Sequence, residues 1–444
     1  MIKKALVLAG GGSRGSYQLG VWRAAKEIGM EFNIVTGASV GALNGALIVQ
    51  DDYELAKKLW ENISSADVLK LDGIEDALED LSNLNNRKHI LRAFATEAVG
   101  KGGADITPLA EMIDQYLNED KIRKSPVDFG LITVEYPSFN QLELTKEDIP
   151  KGMIADFLLA SAACYPAFRA KEIDGIQYID GGYYDNMPIN LAIKMGAEEV
   201  IAVDLNGIGF KRRVTDKQVP VTYIRSYWHL GNFLLFEKDF ALRNIALGYN
   251  DAMKVFGQLE GFAYTFKKGE TKKNAVILNT AFKDILFKTE QIAAGRTPAV
   301  LLKLITRLIL GDLRKRRNLS ETITVTEMFT ASGEVCAEFF DIDPVPIYTM
   351  EQFNDLILKQ YNETKQNAEE TLFELLGTGF TVKEIIHLIT KLDKSDIVWF
   401  IHQRFEAFLD GNAKEADLAV LCSAFTAETA AAFYLGLLLN ITDI

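Results

Sequence analysis

Twice near the start of the sequence, a short apolar run ends in glycines and leads into a helical pattern. Ala5–Leu8 precedes the glycine run Gly10–Gly15 and the helical pattern Tyr17–Ile28. Phe32–Val35 precedes another glycine-containing turn and the helical pattern Val40–Gln50. Alternation of this kind predicts parallel βαβ units, with helices covering both faces of a sheet. The first half of the chain is therefore predicted to form a three-layer α/β/α sandwich.

The same half carries further strand patterns and one long helical pattern. Lys171–Ile173 and Gln177–Ile179 flank Asp174-Gly175, a dipeptide typical of a hairpin turn. Asn232–Phe256 has the spacing of a long helix. Other strands are predicted at Phe129–Glu135, Val200–Asp204 and Pro220–Arg225.

After about residue 280, strand patterns become scarce and helix starts dominate. Thr297-Pro298 provides an N-cap followed by a proline at the first helical position. Thr349–Gln352 and Thr381–Glu384 have the capping-box pattern, and Asp341–Pro346 is typical of a rigid connector. We therefore predict an α/β domain over residues 1–265 and a mainly helical region of unknown role over 266–444.

Composition excludes several classes of protein. Lys and Arg total 48 and Asp and Glu total 61, and the net charge of −13 argues against a general nucleic-acid binder. The three cysteines, Cys164, Cys336 and Cys422, are far apart and form neither a disulfide framework nor a zinc-ligand spacing. No metal or cofactor is predicted. The longest apolar run, Ala430–Leu439, is about half of what a membrane span needs, and we expect a cytoplasmic protein.

The first chemical motif is the loop Gly10-Gly11-Gly12-Ser13-Arg14-Gly15, between a strand and a helix. Glycines there let backbone N–H groups face a cavity, and N–H groups at a helix start bind negative charge. The pattern also fits a dinucleotide-binding loop, which expects an acidic residue at the end of the second strand. Ile34-Val35-Thr36 has none. Taken alone, the loop is equally compatible with a nucleotide site, an oxyanion site or a tight turn.

The second motif, Gly37-Ala38-Ser39-Val40-Gly41, is the G-x-S-x-G sequence of a nucleophile elbow. It lies between a predicted strand and a predicted helix, which is the context that an elbow requires. The serine would sit on a sharp turn while the two glycines allow the helix to pack closely on the strand. An acyl-transferring serine also needs N–H donors for its oxyanion, and the glycine-rich loop supplies them.

A serine nucleophile needs a base. None of the four histidines, His89, His229, His387 and His402, lies in a motif-like context. The third motif, Asp180-Gly181-Gly182, follows the predicted strand Gln177–Ile179 and supplies a carboxylate instead. An Asp-Gly pair is often only a turn, as we expect for Asp174-Gly175, but Asp180 is followed by a second glycine.

In this order, the three motifs resemble the patatin-like phospholipase family. Gly41-Ala42-Leu43-Asn44-Gly45 is similar to the family's elbow helix, and Ala160–Phe168 to the segment that precedes its aspartate. Asp185-Asn186-Met187-Pro188 resembles the bacterial members. The resemblance covers about the first 260 residues, the size of a full domain, and implies the patatin type of sandwich. It implies nothing about the helical region.

The resemblance also implies a mechanism. The family uses a Ser–Asp dyad without histidine, so Ser39 would be the nucleophile and Asp180 the general base for hydrolysis of lipid esters by a phospholipase A, lysophospholipase or lipid esterase. Arg14 would support the loop rather than bind a phosphate. Backbone N–H groups would hold the oxyanion, namely those of Gly11, Gly12 and Val40.

Two alternatives stay open at this stage. An ordinary α/β-hydrolase would complete a Ser-Asp-His triad with His229, although its elbow usually comes later than the second strand. A nucleotide-binding or scaffolding protein would use the Gly10–Gly15 loop without catalysis. No protein partner can be named from the sequence.

Two segments bear on lipid contact. Trp228 and the aromatic run Phe233–Phe240 would form either an acyl pocket or ordinary core. Pro298–Arg317 has an apolar face and ends in the basic run Arg314–Arg317, typical either of a peripheral membrane contact or of a helix packed on its own domain.

Overall fold

The computed structural model describes residues 2–70, 103–292, 298–377 and 382–442. The chain forms two compact units, Met1–Val255 and Phe256–Ile444. The limits predicted for the two domains, 1–265 and 266–444, stay a prediction.

The first unit contains a mixed sheet with helices on both faces. Its strands are β1 Lys4–Leu8, β2 Ile34–Ala38, β3 Asp128–Tyr136, β4 Gln141–Thr145, β5 Lys171–Ile173, β6 Ile176–Asp180, β7 Glu199–Asp204 and β8 Val221–Arg225. Its α-helices in the described residues are α1 Ser16–Glu27, α2 Val40–Val49, α3 Tyr53–Asn62, α4 Thr107–Tyr116, α5 Glu119–Lys124, α6 Ile154–Ala162, α7 Ile189–Lys194 and α8 Lys238–Val255.

The strand order is β5-β6-β3-β2-β1-β7-β8, with β4 paired to β3. β1, β2, β3, β7 and β8 are parallel, as the βαβ pattern predicts. β4, β5 and β6 are antiparallel to their partners. Short turns connect β3 to β4 and β5 to β6, as antiparallel pairing allows. The predicted turn at Asp174-Gly175 is confirmed, and both residues have positive φ, 50° and 79°. The edge strand β4 was not predicted.

Three layers are confirmed. Along β1 and β2, alternate side chains face opposite sides of the sheet. Leu8 and Val35 face α2, where they lie next to Gly45. Ala5 and Ile34 face the other side and pack in a cluster with residues of the short helix α7. One outer layer is thus built largely from α1, α2, α6 and α8, and the other from a single helix of six residues in this part of the described chain.

Two predicted boundaries are wrong. β2 continues to Ala38 rather than ending at Val35. The helix predicted from Asn232 begins at Lys238. The backbone before it serves the glycine-rich loop instead: the Asn232 carbonyl accepts a hydrogen bond from the Ser13 hydroxyl, and the Phe233 carbonyl accepts one from the Ser13 N–H.

The second unit is mainly helical, as predicted. The capping box at Thr349 is confirmed by reciprocal bonds between Thr349 and Gln352, whereas Thr297 and Thr381 lie outside the described residues. Two short strands, β9 Thr265–Phe266 and β10 Ile347–Tyr348, pair with each other. The described helices are α9 Glu270–Ile292, α10 Pro298–Arg317, α11 Val325–Phe339, α12 Met350–Gly377, α13 Val382–Ile389, α14 Lys394–Leu409, α15 Glu415–Ala424 and α16 Thr426–Thr442.

In the described part of the chain, no single helix combines the length and apolar character that a membrane crossing requires. One helix pair, Ala416–Ala424 with Thr426–Ile441, meets both conditions only when joined across a bend of 115°.

Gly41 provides a test of how the elbow is packed. A Cβ atom at this position would lie 2.1 Å from the Leu8 carbonyl oxygen of β1. Gly41→Ala is therefore expected to lower the free energy of unfolding by about 1–3 kcal/mol, because backbone on both sides must shift. Chemical denaturation of the purified chain measures this value.

Gly311→Ala is the matched control, since a Cβ there meets no described atom within 4 Å and lies in a helix. Alanine should leave stability unchanged or raise it slightly. A Gly41→Ala protein as stable as Gly311→Ala would contradict the packing argument.

Candidate active site

β2 and β6 approach each other along the same edge of β3. The β3 residues that pair with β4 include some that also pair with β2 and some that also pair with β6. Because one edge of a strand cannot pair with two strands at the same residue, β4 occupies the opposite edge of β3. β2 runs parallel to β3 and ends with Ala38 opposite Ile132. β6 runs antiparallel and ends with Asp180 opposite Thr133. Ser39, the residue after β2, and Asp180 are thus brought together at one point of the sheet.

Ser39 lies on a strained turn. Its backbone has φ 55° and ψ −131°, a conformation that non-glycine residues rarely adopt. Its N–H donates to the Ser161 hydroxyl oxygen at 3.0 Å, and Ser39 caps the start of α2. This is the geometry of a nucleophile elbow, in which strain exposes the hydroxyl above the sheet.

Asp180 is a buried carboxylate that lines the same cavity as Ser39. The Gly182 N–H donates to its Oδ1 at 2.7 Å. Burial raises the pKa of Asp180 to about 6, although the Gly182 hydrogen bond and the Ser39 side chain both act to lower it. At neutral pH the group is therefore ionised, yet it is a stronger base than an ordinary aspartate.

The glycine-rich loop borders the same cavity. Gly12 has φ 58°, and a Cβ atom there would lie 2.0 Å from the Phe233 carbonyl oxygen, so only glycine fits. Within the described chain, no hydrogen bond is made by three N–H groups beside the nucleophile, those of Gly11, Gly12 and Val40. Donors left without a protein partner beside a nucleophile are what an oxyanion requires.

The outer residues of the loop fix its position. Gly10 exchanges two hydrogen bonds with Asn186: its N–H donates to the Asn186 carbonyl at 3.0 Å, and its carbonyl accepts from the Asn186 side chain at 3.2 Å. The Gly15 carbonyl accepts from the Asn44 side chain at 3.0 Å. Asn186 and Asn44 thus hold the two ends of the loop. Both lie in segments that resemble the patatin-like family, but the sequence predicted no role for either side chain.

Arg14 anchors the loop from outside. Its guanidinium donates to the carbonyl oxygens of Gly231, Leu205 and Asn206 at 3.0, 3.4 and 2.8 Å. These bonds tie the loop to the segments after β7 and before α8. The side chain is therefore engaged with backbone rather than directed at a ligand.

The remaining motif glycines allow close approach. A Cβ at Gly37 would lie 2.3 Å from the Gly41 backbone, where the turn folds over itself. A Cβ at Gly181 would lie 2.2 Å from the Ile132 carbonyl oxygen. Gly182 supplies the N–H that binds Asp180. Gly37 and Gly181 thus allow the close backbone contacts that position Ser39 and Asp180, and Gly182 binds the Asp180 carboxylate directly.

The structure does not bring a histidine to Ser39 in the described chain. His229 lines neither of the cavities that contain Ser39, and its Nδ1 accepts a hydrogen bond from the Gly231 N–H at 3.0 Å. His387 and His402 belong to the second unit, and His89 lies outside the described residues.

Ser39 lines two cavities formed by the described residues. One, of about 980 Å³, opens between the glycine loop and Asp180 and is also lined by Cys164, Phe168, Tyr183, Ile208, Phe210, Phe233 and Leu234. Burial and the nearby Asp180 raise the pKa of the Cys164 thiol to about 12, so this thiol is a poor competing nucleophile.

The second cavity, of about 860 Å³, is almost entirely apolar. Leu43 and Leu47 line it from one face of α2, one and two turns beyond Ser39. From the aromatic run identified in the sequence, Phe236 lines this cavity. Trp228 and Phe240 line neither of the two cavities. Further apolar residues close it, among them Trp60, Leu109, Ile113, Tyr116, Leu117 and Leu158. The four-residue spacing of the leucines was visible in the sequence, but the helices that face them are distant along the chain.

Part of this chain is similar to known proteins. Residues 6–193 match the model of the patatin-like phospholipase family. A lysophospholipase NTE1 of Candida albicans is 26% identical over 235 residues, which is 51% of this chain and 14% of that protein. A patatin-like phospholipase domain-containing protein 7 of Mus musculus is 26% identical over 205 residues, 45% of this chain and 13% of its own length.

Among solved structures, VipD of Legionella pneumophila aligns over 97% of this chain and 91% of its own, with 14% identity and a TM-score of 0.37. The type III effector protein ExoU aligns over 96% and 88%, with 13% identity and a TM-score of 0.29.

The match of residues 6–193 to the family model shows that the first unit carries a patatin-like phospholipase domain. The curated relatives are much longer proteins, of which the matched segment is about one seventh.

The burial of Asp180 predicts a dependence of stability on pH. Because its pKa is raised to about 6, the folded state binds this proton more tightly than the unfolded state, and stability is lost as pH rises through 6. Asp180→Asn cannot ionise. Relative to wild type, it should gain about 1–3 kcal/mol of unfolding free energy between about pH 4 and pH 8.

Urea denaturation of both proteins at the two pH values measures this difference. If the difference in unfolding free energy between the two proteins stays constant or shrinks as pH rises, Asp180 does not have a raised pKa in the folded protein.

Proposed function

We propose that this chain is a serine acyl hydrolase that cleaves carboxylic ester bonds of lipids. The observation that carries the proposal is the placement of Ser39, on a strained turn, beside the buried Asp180 in one cavity, at a point where an apolar cavity also reaches Ser39. The patatin-like phospholipase match and the lysophospholipase relatives support the same chemistry.

In the proposed reaction, Asp180 takes the Ser39 proton as the hydroxyl oxygen attacks the ester carbonyl. The N–H groups of Gly11, Gly12 and Val40 stabilise the oxyanion that forms. Collapse of this intermediate releases the alcohol, which receives the proton from Asp180, and leaves an acyl group on Ser39. Asp180 then activates a water molecule that hydrolyses the acyl-enzyme.

The cavities support a substrate with one long acyl chain at the nucleophile. The apolar cavity follows α2 away from Ser39 and offers few polar groups, so it suits a hydrocarbon chain. The more polar cavity beside Asp180 suits the alcohol half of the ester. A phospholipid or lysophospholipid has both parts, which places phospholipase A and lysophospholipase among the proposed activities.

The alternatives have less support. A triad would need His229 at the Ser39 cavities, which it does not line in the structure. A nucleotide site would use a cation at the glycine loop to bind phosphates, but the Arg14 guanidinium is bound to backbone carbonyl oxygens.

A membrane contact through Pro298–Arg317 and a cytoplasmic location stay predictions. Arg317 is buried and pairs with Glu334 and Glu338, and Arg316 pairs with Asp312. Arg314 donates to two backbone carbonyl oxygens within the second unit. Three of the four cations in Arg314–Arg317 have partners within the second unit. Neutralising all four would therefore also disrupt the packing of this helix. Arg307→Gln with Lys315→Gln is the cleaner variant for vesicle flotation.

Ser39→Ala and Asp180→Asn should each reduce hydrolysis of short p-nitrophenyl esters by at least about a thousandfold, because each removes one member of the proposed pair. His229→Ala should retain the wild-type rate. In wild type, kcat/KM should fall as pH drops through about 6, where Asp180 becomes protonated. Folded Ser39→Ala or Asp180→Asn protein with full activity would refute the dyad.

The depth of the apolar cavity predicts a selective variant. Leu47 lies about 12 Å along α2 from Ser39, so Leu47→Trp should block the far part of the cavity. Hydrolysis of long-chain p-nitrophenyl esters should fall about tenfold relative to the butyrate ester. Leu242→Trp, at a position 39% exposed and outside both cavities, is the control. Equal loss for short and long esters would argue against an acyl pocket here.

A further inference from the structure

Two large apolar side chains project into solvent at the mouth of the Ser39–Asp180 cavity. Ile208 is 78% exposed and Phe210 is 68% exposed, although both line that cavity. They are the two most exposed large hydrophobic residues of the described chain. Isolated exposed hydrophobic residues are ordinary, but two together at the entrance to a binding site mark an interaction surface.

The exposure of this loop is built into the fold. The Phe210 N–H donates to the Gly182 carbonyl at 2.9 Å, and the Phe210 carbonyl accepts from the Asn186 N–H at 2.6 Å. The Arg212 N–H donates to the buried Asp185 carboxylate at 3.3 Å. The segment is thus fastened to the backbone that carries Asp180, while its apolar side chains face outwards.

Aromatic side chains extend the apolar rim. Tyr183 lines the cavity, is 38% exposed and donates its hydroxyl to the Tyr165 carbonyl. The Tyr165 ring lies 5.1 Å from the Tyr136 ring, which in turn contacts Phe139 at 5.9 Å. Phe139 is 56% exposed. Aromatic rings with polar tips are the side chains that proteins place at the boundary between water and lipid.

Cations follow the apolar pair directly. Lys211, Arg212 and Arg213 line a concave surface that shares Tyr183 and Phe210 with the cavity mouth. Lys211 pairs with Asp204 at 2.6 Å. Arg212 stacks on the Tyr184 ring at 4.3 Å and also acts electrostatically on the Asp185 carboxylate. Among the described residues, neither Arg212 nor Arg213 has a carboxylate within ion-pair distance. The net charge of the chain is −13, so adjacent cations at the cavity mouth are a local exception that favours an anionic partner.

We propose that the segment Ile208–Arg213, here called the rim loop, seats the active-site mouth on an anionic lipid surface. Ile208 and Phe210 would enter the interfacial region, while Arg212 and Arg213 would bind lipid phosphates beside them. A lipid surface fits better than a protein partner because the apolar tips and the cations are adjacent and both surround the entrance for a lipid substrate. That the substrate is a lipid rests on the proposed function. Binding of the rim loop to a lipid surface does not depend on it.

The test measures binding without catalysis. Full-length Ser39→Ala protein is floated with phosphatidylcholine vesicles and with vesicles in which part of that lipid is replaced by phosphatidylglycerol. Two double variants are made in this background, Ile208→Ser with Phe210→Ser and Arg212→Gln with Arg213→Gln. Matched controls change exposed residues of the second unit, Val276→Ser with Ile277→Ser and Lys272→Gln with Lys391→Gln.

The Ser39→Ala protein should float with the anionic vesicles, and each rim-loop variant should lower its partition by about tenfold or more. Added salt should weaken binding of the background protein. The controls should bind like the background protein.

Equal flotation of the rim-loop variants and the background protein would overturn the proposal, as would equal binding to the two vesicle types. Concentration-dependent self-association that disappears in the Ile208→Ser, Phe210→Ser variant would assign the rim loop to a second copy of the chain instead. Because Ser39→Ala is inactive in the proposed mechanism, none of these outcomes depends on hydrolysis.

Discussion

The edge of β3 is the constraint on which the rest of the site depends. A parallel strand and an antiparallel strand share that edge and end on adjacent residues, Ile132 and Thr133. The residue that follows the first strand is Ser39, and the last residue of the second is Asp180. The hydroxyl and the carboxylate therefore meet through backbone pairing, which is rigid, rather than through long side chains. Slippage of either strand by one residue would also turn its side chains to the other face.

Burial at this edge raises the basicity of Asp180 and also makes its ionised form destabilising. The same loss of solvent that raises its pKa to about 6 makes the ionised form unfavourable in the folded protein. The hydrogen bond from the Gly182 N–H and the nearby Ser39 side chain both lower this pKa, which limits the cost without removing it. A carboxylate poised in this way can serve as a base near neutral pH, which is consistent with a site that contains no histidine among its described lining residues.

The local parts of this arrangement could be predicted from the sequence. Strand–turn–helix patterns around Ser39, the glycine run and Asp180-Gly181-Gly182 are short, and their chemistry depends on neighbouring residues. Contacts between distant segments could not be predicted. The turn at Asn232–Glu237 is non-helical because it binds the glycine loop, Ser161 meets the elbow from another helix, and the apolar cavity joins α2 to segments far along the chain.

The central claim is that Asp180 activates Ser39, and labelling with a fluorophosphonate probe tests it most directly. Mass spectrometry of digested wild-type protein should locate the probe on Ser39, and the labelling rate should fall strongly in folded Asp180→Asn protein. Modification of another residue, or an unchanged rate in Asp180→Asn, would contradict the account.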